Sequence, residues 1–240
     1  MDYKKESTIK NATENTSNSY YWGMDSGTYP GDDKLRDWWS NGPFWYISLY
    51  LGPTTQHSDT SYMNKFSTMT GIGWGLLPLY VGKQAGDDKK SPLSFEMGRS
   101  DAGNTNTLGH NAGLPTSRYV YLDIEQGGLL SSTFISYIQG WVDAMYNNYD
   151  FWPGIYCSYK DTADQVKNTL GPGYPNVRYW VYHIGSWTSQ GTGTGSAPNP
   201  ADSGVSYAST WQGIQNINKT YGSSTIYMDG NTSIYKDPSQ

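Results

Sequence analysis

The 240-residue chain contains little cysteine, little histidine and few charged side chains. Its one cysteine, Cys157, cannot form a disulfide within the chain, which fits a cytosolic protein and equally a secreted bacterial protein without disulfides. Its three histidines stand far apart in the sequence and in no spacing typical of zinc ligands. Neither a disulfide-stabilised fold nor a zinc site is therefore expected.

Further absences narrow the class of protein. No run of about 18 apolar residues occurs, so we expect no insertion into a membrane. Lysine and arginine do not cluster and the net charge is −5, so we expect no nucleic-acid partner. Phosphate-loop, dinucleotide-binding and Gly-x-Ser-x-Gly motifs are missing, and the sequence predicts no cofactor. The first residues are not followed by the apolar segment of a signal peptide.

Tyrosine and tryptophan are what the sequence contains in quantity, with 22 and 10 residues against 5 phenylalanines. Both side chains combine a flat apolar face with a polar tip. They suit surfaces that bind sugars, and they also pack ordinary protein cores. Composition alone leaves both roles open.

Short apolar runs alternate with amphipathic stretches from residue 20 onwards. Residues 1–19 are polar and are interpreted as a disordered lead or linker, and residues 20–240 as one domain. Strands that alternate with helices imply a parallel sheet of the α/β class. About eight strands predict a single (β/α)8 TIM-like barrel, with irregularity allowed in its last repeats, which resemble a hairpin. The predicted strands are residues 20–24, 44–51, 75–81, 119–124, 154–157, 178–183, 209–212 and 225–228, and the predicted helices are residues 32–40, 58–69, 94–108, 131–148 and 159–170.

Carboxylates stand where several of these strands end, and in a parallel barrel that end holds the functional residues. Asp25 follows the first strand, Asp123 and Glu125 end the fourth, and Asp229 closes the last. Strand side chains alternate, so Asp123 and Glu125 point to the same side, where like-charge repulsion raises the pKa of one of them. Glycoside hydrolysis needs such a division between an acid and an ionised partner. Binding of Mg²⁺ or Ca²⁺ is the competing use of a carboxylate cluster.

Candidate substrate-binding residues lie near the same strand ends. Aromatic rings can form platforms for sugars, and a histidine at the rim can hydrogen-bond a sugar or orient a carboxylate. His183 is equally compatible with a half-buried structural role, and some of the aromatic residues must belong to the core because strands alternate faces. The candidates are Tyr80, Tyr156, Tyr182, His183, Trp211 and Gln212.

Several short motifs follow one another in a familiar order. They are Gly23-Met24-Asp25, Tyr50-Leu51-Gly52, Leu122-Asp123-Ile124-Glu125, Gly154-Ile155-Tyr156, Trp180, Trp211-Gln212 and Asp229-Gly230-Asn231. This succession resembles the family 25 glycoside hydrolases, which are barrel lysozymes (muramidases) that cut peptidoglycan. Residues 73–84, with the sequence GWGLLPLYVGKQ, are very similar to the signature of a sister group. That group is the glycoside-hydrolase-like family once labelled domain of unknown function 1906, and the resemblance covers about residues 20–236.

The resemblance implies a muramidase-type activity on peptidoglycan or a related polysaccharide. Glu125 then matches the general acid and Asp123 its partner carboxylate, while Asp25 and Asp229 match supporting carboxylates. One departure is the long segment 85–115, which stands where family 25 has a compact helix and is long enough to reshape the groove.

Two other functions stay open at this point. A non-catalytic barrel could bind cell walls or polysaccharides through the same aromatic surface without hydrolysis. A metal-dependent hydrolase of phosphate or amide bonds would use the carboxylates as metal ligands. We expect a monomer that acts on a glycan as a secreted or cell-surface protein.

Overall fold

The computed structural model describes residues 20–185 and 187–240. Within these ranges the chain forms eight strands and six α-helices, and the strands close into a barrel in sequence order. This confirms the predicted fold class, whereas the predicted disordered lead at residues 1–19 lies outside the described residues. The strands are β1 Tyr21–Asp25, β2 Tyr46–Leu51, β3 Gly75–Tyr80, β4 Tyr119–Gly127, β5 Trp152–Ser158, β6 Arg178–Tyr182, β7 Thr210–Tyr221 and β8 Ser224–Ser233. The helices are α1 Asp32–Asn41, α2 Phe66–Ile72, α3 Ala85–Lys90, α4 Phe95–Asn111, α5 Ser132–Asn148 and α6 Tyr159–Leu170.

Helix α5 illustrates how the outer layer forms from the sequence. The Ser131 hydroxyl accepts a hydrogen bond from the backbone N–H of Phe134 at 3.1 Å and so caps the helix. Phe134, Ile138 and Trp141 are buried at helical spacing. This apolar face packs in the layer between the strands and the helices, where most of the hydrophobic core lies.

The loop before α2 differs from the prediction of one helix over residues 58–69. The Asp59 carboxylate accepts a hydrogen bond from the Ser61 backbone N–H at 2.8 Å, and the Ser61 hydroxyl accepts one from the Tyr29 backbone N–H at 2.9 Å. Such side-chain bonds to nearby backbone compete with helix formation. The helix therefore begins only at Phe66.

The barrel closes irregularly, as the hairpin-like end of the sequence predicts. Strand β8 runs antiparallel to both of its neighbours, β7 and β1, while the other pairs are parallel. The outer part of the β7–β8 hairpin packs against α1, where the Trp38 ring lies 5.1 Å from the Tyr221 ring. The Trp38 indole N–H also donates to the Ser224 carbonyl at 2.9 Å.

Large aromatic side chains fill the lumen of the barrel. Tyr46, Tyr121 and Trp180 are fully buried there. Two of them pack over glycines on the neighbouring strand: a Cβ at Gly23 would lie 2.1 Å from the Tyr46 ring, and one at Gly154 would lie 2.5 Å from the Tyr121 ring. The glycines therefore make the room that these rings occupy.

The end of the lumen at the N-terminal ends of the parallel strands is closed by an arginine that stacks between two tyrosine rings. The Arg178 guanidinium lies 3.7 Å from the centre of the Tyr119 ring and 4.0 Å from that of Tyr235. It also donates to the Pro238 carbonyl at 3.0 Å. Residues after β8 therefore cover the N-terminal ends of the parallel strands, and the C-terminal ends form the open end, which we call the mouth.

Substitution of a lumen glycine should destabilise the barrel. In Gly23→Ala the new methyl group overlaps the Tyr46 ring, which the filled lumen cannot easily displace, and we expect a loss of about 1–3 kcal/mol. The free energy of unfolding in urea measures it. Gly71→Ala is the matched control, because a Cβ at Gly71 meets no atom within 4 Å. Equal stability of the two variants would contradict the packing described for Gly23.

Candidate active site

Four carboxyl groups gather at the mouth. Asp25 ends β1, and Asp123 and Glu125 lie near the end of β4. Asp229 is brought there by the antiparallel strand β8, whose register places it directly opposite Asp25. The carboxyl groups are close enough for Asp25 to feel the charges of both Asp229 and Asp123, and for Asp123 to feel that of Glu125.

Asp123 is the deeply placed member of the β4 pair. Its side chain is 5% exposed, and its Oδ1 has no hydrogen-bond partner among the described residues. Burial, and secondly the charge of Glu125, raise the pKa of Asp123 to about 8. The Asp123 carboxyl therefore holds a proton at neutral pH.

Glu125 is exposed at the mouth, two residues further along β4. Its backbone is held on both sides. The Glu125 N–H donates to Gln84 Oε1 at 3.2 Å, and the Ser158 hydroxyl donates to the Glu125 carbonyl at 3.0 Å. The two carboxyl groups of β4 thus differ in exposure, with Asp123 buried and Glu125 open to solvent.

Asp25 is buried and hydrogen-bonded by an amide. Asn231 Nδ2 donates to Asp25 Oδ1 at 2.6 Å, and the Trp180 indole N–H holds Asn231 by donating to its Oδ1 at 2.9 Å. Burial is the largest cause that raises the pKa of Asp25, followed by the charge of Asp229, and Asp123 adds to it. The Asn231 hydrogen bond works in the opposite direction but is the smaller effect.

Asp229 receives two hydrogen bonds. Gln212 Nε2 donates to its Oδ2 at 2.7 Å and the Asn216 backbone N–H to its Oδ1 at 2.7 Å. The Tyr156 hydroxyl donates to Gln212 Oε1 at 2.7 Å, so that Gln212 links a lumen tyrosine to this carboxylate. Burial raises the pKa of Asp229, and both hydrogen bonds oppose that rise.

Two of the predicted substrate-binding residues lie away from the mouth. Tyr80 is buried between the barrel and the helices, where its hydroxyl accepts a hydrogen bond from Asn104 of α4 at 3.1 Å. Trp211 is also buried and packs against Trp187, with 4.5 Å between the ring centres. Each residue is one position out of phase with the lumen-facing set of its strand, which corrects both expectations.

Tyr182 and His183 follow each other at the end of β6 and take different directions. The Tyr182 hydroxyl donates to Gln215 Oε1 at 3.1 Å, and its ring lies 5.5 Å from that of Tyr159 in an edge-to-face arrangement. His183 Nδ1 is within 2.5 Å of the Ser203 carbonyl, so its ring is tied to the loop that follows β6. No hydrogen bond from His183 to one of the four carboxyl groups occurs in the described residues.

Several residues at the site were assigned no role from the sequence. Tyr50 shares the lumen face of β2 with Tyr46, its hydrogen bond partly offsets the raised pKa of Asp25, and its ring stacks on His57 with 4.9 Å between ring centres. The two-residue strand period could have identified it. Asn231 lies two residues after Asp229 in the same motif, so the strand period could have identified it as well. Gln84 lies beyond the two-residue period of β3, and its only signal is that it ends the motif at residues 73–84.

No group of three or more His, Cys, Asp or Glu side chains among the residues described is arranged to hold a metal ion. None of the helices in residues 20–185 and 187–240 is both long and apolar enough to span a membrane.

Comparison with protein families and solved structures identifies relatives of this fold. The family model described as Rv2525c-like, glycoside hydrolase-like domain matches residues 37–235. A bacterial lysozyme from Streptomyces coelicolor is similar over 90% of this chain and 92% of its own, with a TM-score of 0.57 and 18% identity. The Tat-secreted protein Rv2525c of Mycobacterium tuberculosis is similar over 90% and 95%, with a TM-score of 0.55 and 16% identity. A muramidase from Acremonium alcalophilum is similar over 88% and 92%, with a TM-score of 0.55 and 17% identity.

No curated protein matches the chain. The family match and the shared fold confirm the family resemblance that the motifs indicate.

The buried proton on Asp123 should make stability depend on pH. The folded protein keeps this carboxyl protonated up to a pH of about 8, whereas the unfolded chain ionises it above about 4, so stability falls as the pH rises between these values. Asp123→Asn removes this loss. We expect the Tm of the variant, relative to the native protein, to rise by roughly 3–10 °C between pH 5 and pH 8, which corresponds to about 1–3 kcal/mol.

Asp161→Asn, on the exposed first turn of α6, is the control for this experiment. Its Tm difference from the native protein should not change with pH. If the Tm difference between Asp123→Asn and the native protein is also independent of pH, this would contradict the protonated state described for Asp123.

Proposed function

The chain belongs to the Rv2525c-like, glycoside hydrolase-like family, and we propose that it hydrolyses glycosidic bonds in the glycan strands of bacterial peptidoglycan. The observation that carries this proposal is the carboxyl pair on β4, in which a buried, protonated Asp123 stands beside an exposed Glu125. Glycosidases use two carboxyl groups whose surroundings hold them in different protonation states.

We propose Glu125 as the general acid because it is the carboxyl that a bound glycan can reach. A glycan that covers the mouth displaces water from Glu125, and lost solvation favours its protonated form. Positive charge that develops at the anomeric carbon favours the ionised form of Asp123. The pair would then carry its one proton on Glu125, which donates it to the glycosidic oxygen as the bond to the anomeric carbon breaks. Water supplies the hydroxyl group of the new reducing end, and its other proton returns to the carboxyl pair.

The remaining residues of the mouth would bind and orient the sugar. Tyr156 and Tyr182 offer aromatic faces on the lumen side of β5 and β6. Gln212 is buried and held between Tyr156 and Asp229, so it would act by fixing the orientation of these two side chains toward the sugar. Asp25 is the carboxyl that neighbours both Asp229 and Asp123, and it would support the charge balance of the site.

We also propose that the protein acts outside the cell, where peptidoglycan lies. The relative from Mycobacterium tuberculosis is described as Tat-secreted, and the spore cortex lytic enzyme of Clostridium perfringens shares the fold with a TM-score of 0.57. Action as a monomer remains a prediction.

A second candidate function is sugar binding without cleavage. It is favoured by the raised pKa of three carboxyl groups at the mouth, those of Asp25, Asp123 and Asp229. A raised pKa favours the neutral carboxyl group, which both donates and accepts hydrogen bonds and so suits recognition of sugar hydroxyls. The protein would then sediment with cell walls and release no reducing ends.

Replacement of the general acid tests the hydrolytic proposal directly. The native protein should release new reducing ends from purified peptidoglycan, and Glu125→Gln should lower the rate by at least about 100-fold because the proton donor is lost. Glu96→Gln, which makes the same change at an exposed position of α4, should leave the rate unaltered. No release by the native protein between pH 4 and 8, with sedimentation on cell walls intact, would favour the binding function instead.

The pH dependence of the reaction should follow the shared proton. Because the free pair loses that proton as the pH rises through the Asp123 pKa of about 8, kcat/KM should fall above this pH by about tenfold per unit. Steady-state kinetics on a soluble glycan fragment measure this fall of kcat/KM, which forms the alkaline limb of the pH profile. In Asp123→Asn the rate should be much lower, and the limb near pH 8 should be absent. A native kcat/KM that stays constant up to pH 10 would contradict the shared-proton mechanism.

A further inference from the structure

The last part of β4 extends beyond the support of its neighbour β3. Strand β3 pairs with β4 only at Leu79 with Tyr121 and at Tyr80 with Leu122. If β3 continued in this register, residue 82 would stand opposite Ile124. The chain turns away at that point instead, and the Lys83 backbone N–H donates to the Tyr137 hydroxyl at 3.1 Å. The segment that bears Asp123 and Glu125 therefore lacks a β3 partner.

The carboxamide of Gln84 fills the position that β3 leaves. Gln84 Nε2 donates to the Asp123 carbonyl at 2.8 Å, and Gln84 Oε1 accepts from the Glu125 N–H at 3.2 Å. In a parallel ladder, one residue donates to the carbonyl before its partner and accepts from the N–H after it. The two Gln84 bonds reproduce this pattern around Ile124.

Gln84 is itself held at the start of α3. Its backbone N–H donates to Asp87 Oδ2 at 3.0 Å, and its carbonyl accepts from the Asp87 N–H at 2.9 Å. Gln56 Nε2 donates to the same Asp87 oxygen at 2.7 Å. The carboxamide thus extends from an anchored backbone, and its orientation is fixed at both ends.

We propose that Gln84 is a positioning residue that replaces a strand residue opposite Ile124 and thereby fixes the directions of the Asp123 and Glu125 side chains. Together with the Ser158 hydroxyl on the Glu125 carbonyl, it leaves the Glu125 peptide groups bonded on both edges of the strand. Without Gln84, the β4 end would keep only its β5 side, where the register already shifts between Ile124 and Gly127. The catalytic consequence of this role rests on the proposed glycosidase function.

The test combines hydrogen exchange at the Glu125 amide, which can be measured without any enzymatic activity, with a measurement of kcat. In Gln84→Met, which keeps the side-chain length and removes both hydrogen bonds, the Glu125 amide should exchange with solvent at least about fivefold faster, the factor expected for one lost hydrogen bond. Its kcat should fall by about 10- to 100-fold with little change in KM, because the carboxyl groups lose alignment while the sugar contacts remain.

Gln165→Met is the matched control. Gln165 bridges the backbone of Leu130 in the same way, with its Oε1 accepting from the Leu130 N–H at 2.7 Å and its Nε2 donating to the carbonyl at 3.0 Å. Its loss should cost similar stability without faster exchange at Glu125 or a lower kcat. Unchanged exchange at Glu125 in Gln84→Met, or an equal kcat loss in Gln165→Met, would overturn the positioning role.

Gln84→Glu adds a signature that a merely structural role would not give. The neutral carboxyl can donate and accept like the amide, whereas the ionised one cannot donate to the Asp123 carbonyl. The kcat ratio of this variant to the native protein should therefore rise as the pH is lowered toward about 4. A ratio independent of pH would count against the proposal. Absence of hydrolysis by the native protein would refute the glycosidase function, while the exchange result would still decide the role of Gln84.

Discussion

Removal of carboxyl groups from water at the end of a filled barrel is the interaction on which the site depends. Tyr46, Tyr121 and Trp180 fill the lumen, and Asp25 and Asp123 are buried at the end of it that forms the mouth. Burial is the largest cause of the raised pKa at both carboxyl groups, ahead of the charge of Asp229 at Asp25 and that of Glu125 at Asp123. The protonation state of the mouth is therefore a consequence of how the middle of the barrel is packed, down to the glycines that admit the rings.

Amide side chains organise the carboxyl groups without adding charge. Asn231 connects the Trp180 indole to Asp25, and Gln212 connects a tyrosine to Asp229. Both amides come from the irregular β7–β8 hairpin, which a regular strand–helix repeat would not supply. Because β8 runs antiparallel, Asp229 lies within the strand and opposite Asp25, not at the strand's C-terminal end. The irregular closure of the barrel is thus part of how its site is built.

Much of the fold could be predicted from local patterns, and the errors have a common physical origin. Alternating apolar runs indicated all eight strands, and Asp123 and Glu125 both lie near the end of β4. The two-residue period could not show that Tyr80 and Trp211 face away from the lumen, because it gives spacing but not which alternate set faces inward. That choice depends on register with neighbouring strands. The loop at residues 58–65 failed as a helix because its polar side chains bond to nearby backbone.

The sequence by itself determined the barrel, the order of its motifs and the presence of four carboxyl groups on three strands, because these follow from periodicity and residue type. Only the tertiary structure decided which carboxyl of the β4 pair is buried and protonated, since Asp123 lies near residues of other strands that are distant in the chain, such as Tyr50 of β2 and Tyr156 of β5. It also decided that Gln84, the last residue of the motif at residues 73–84, lies against the backbone of Asp123 and Glu125. Contacts of this kind arise where a strand loses its neighbour, and no local property of the sequence records that point.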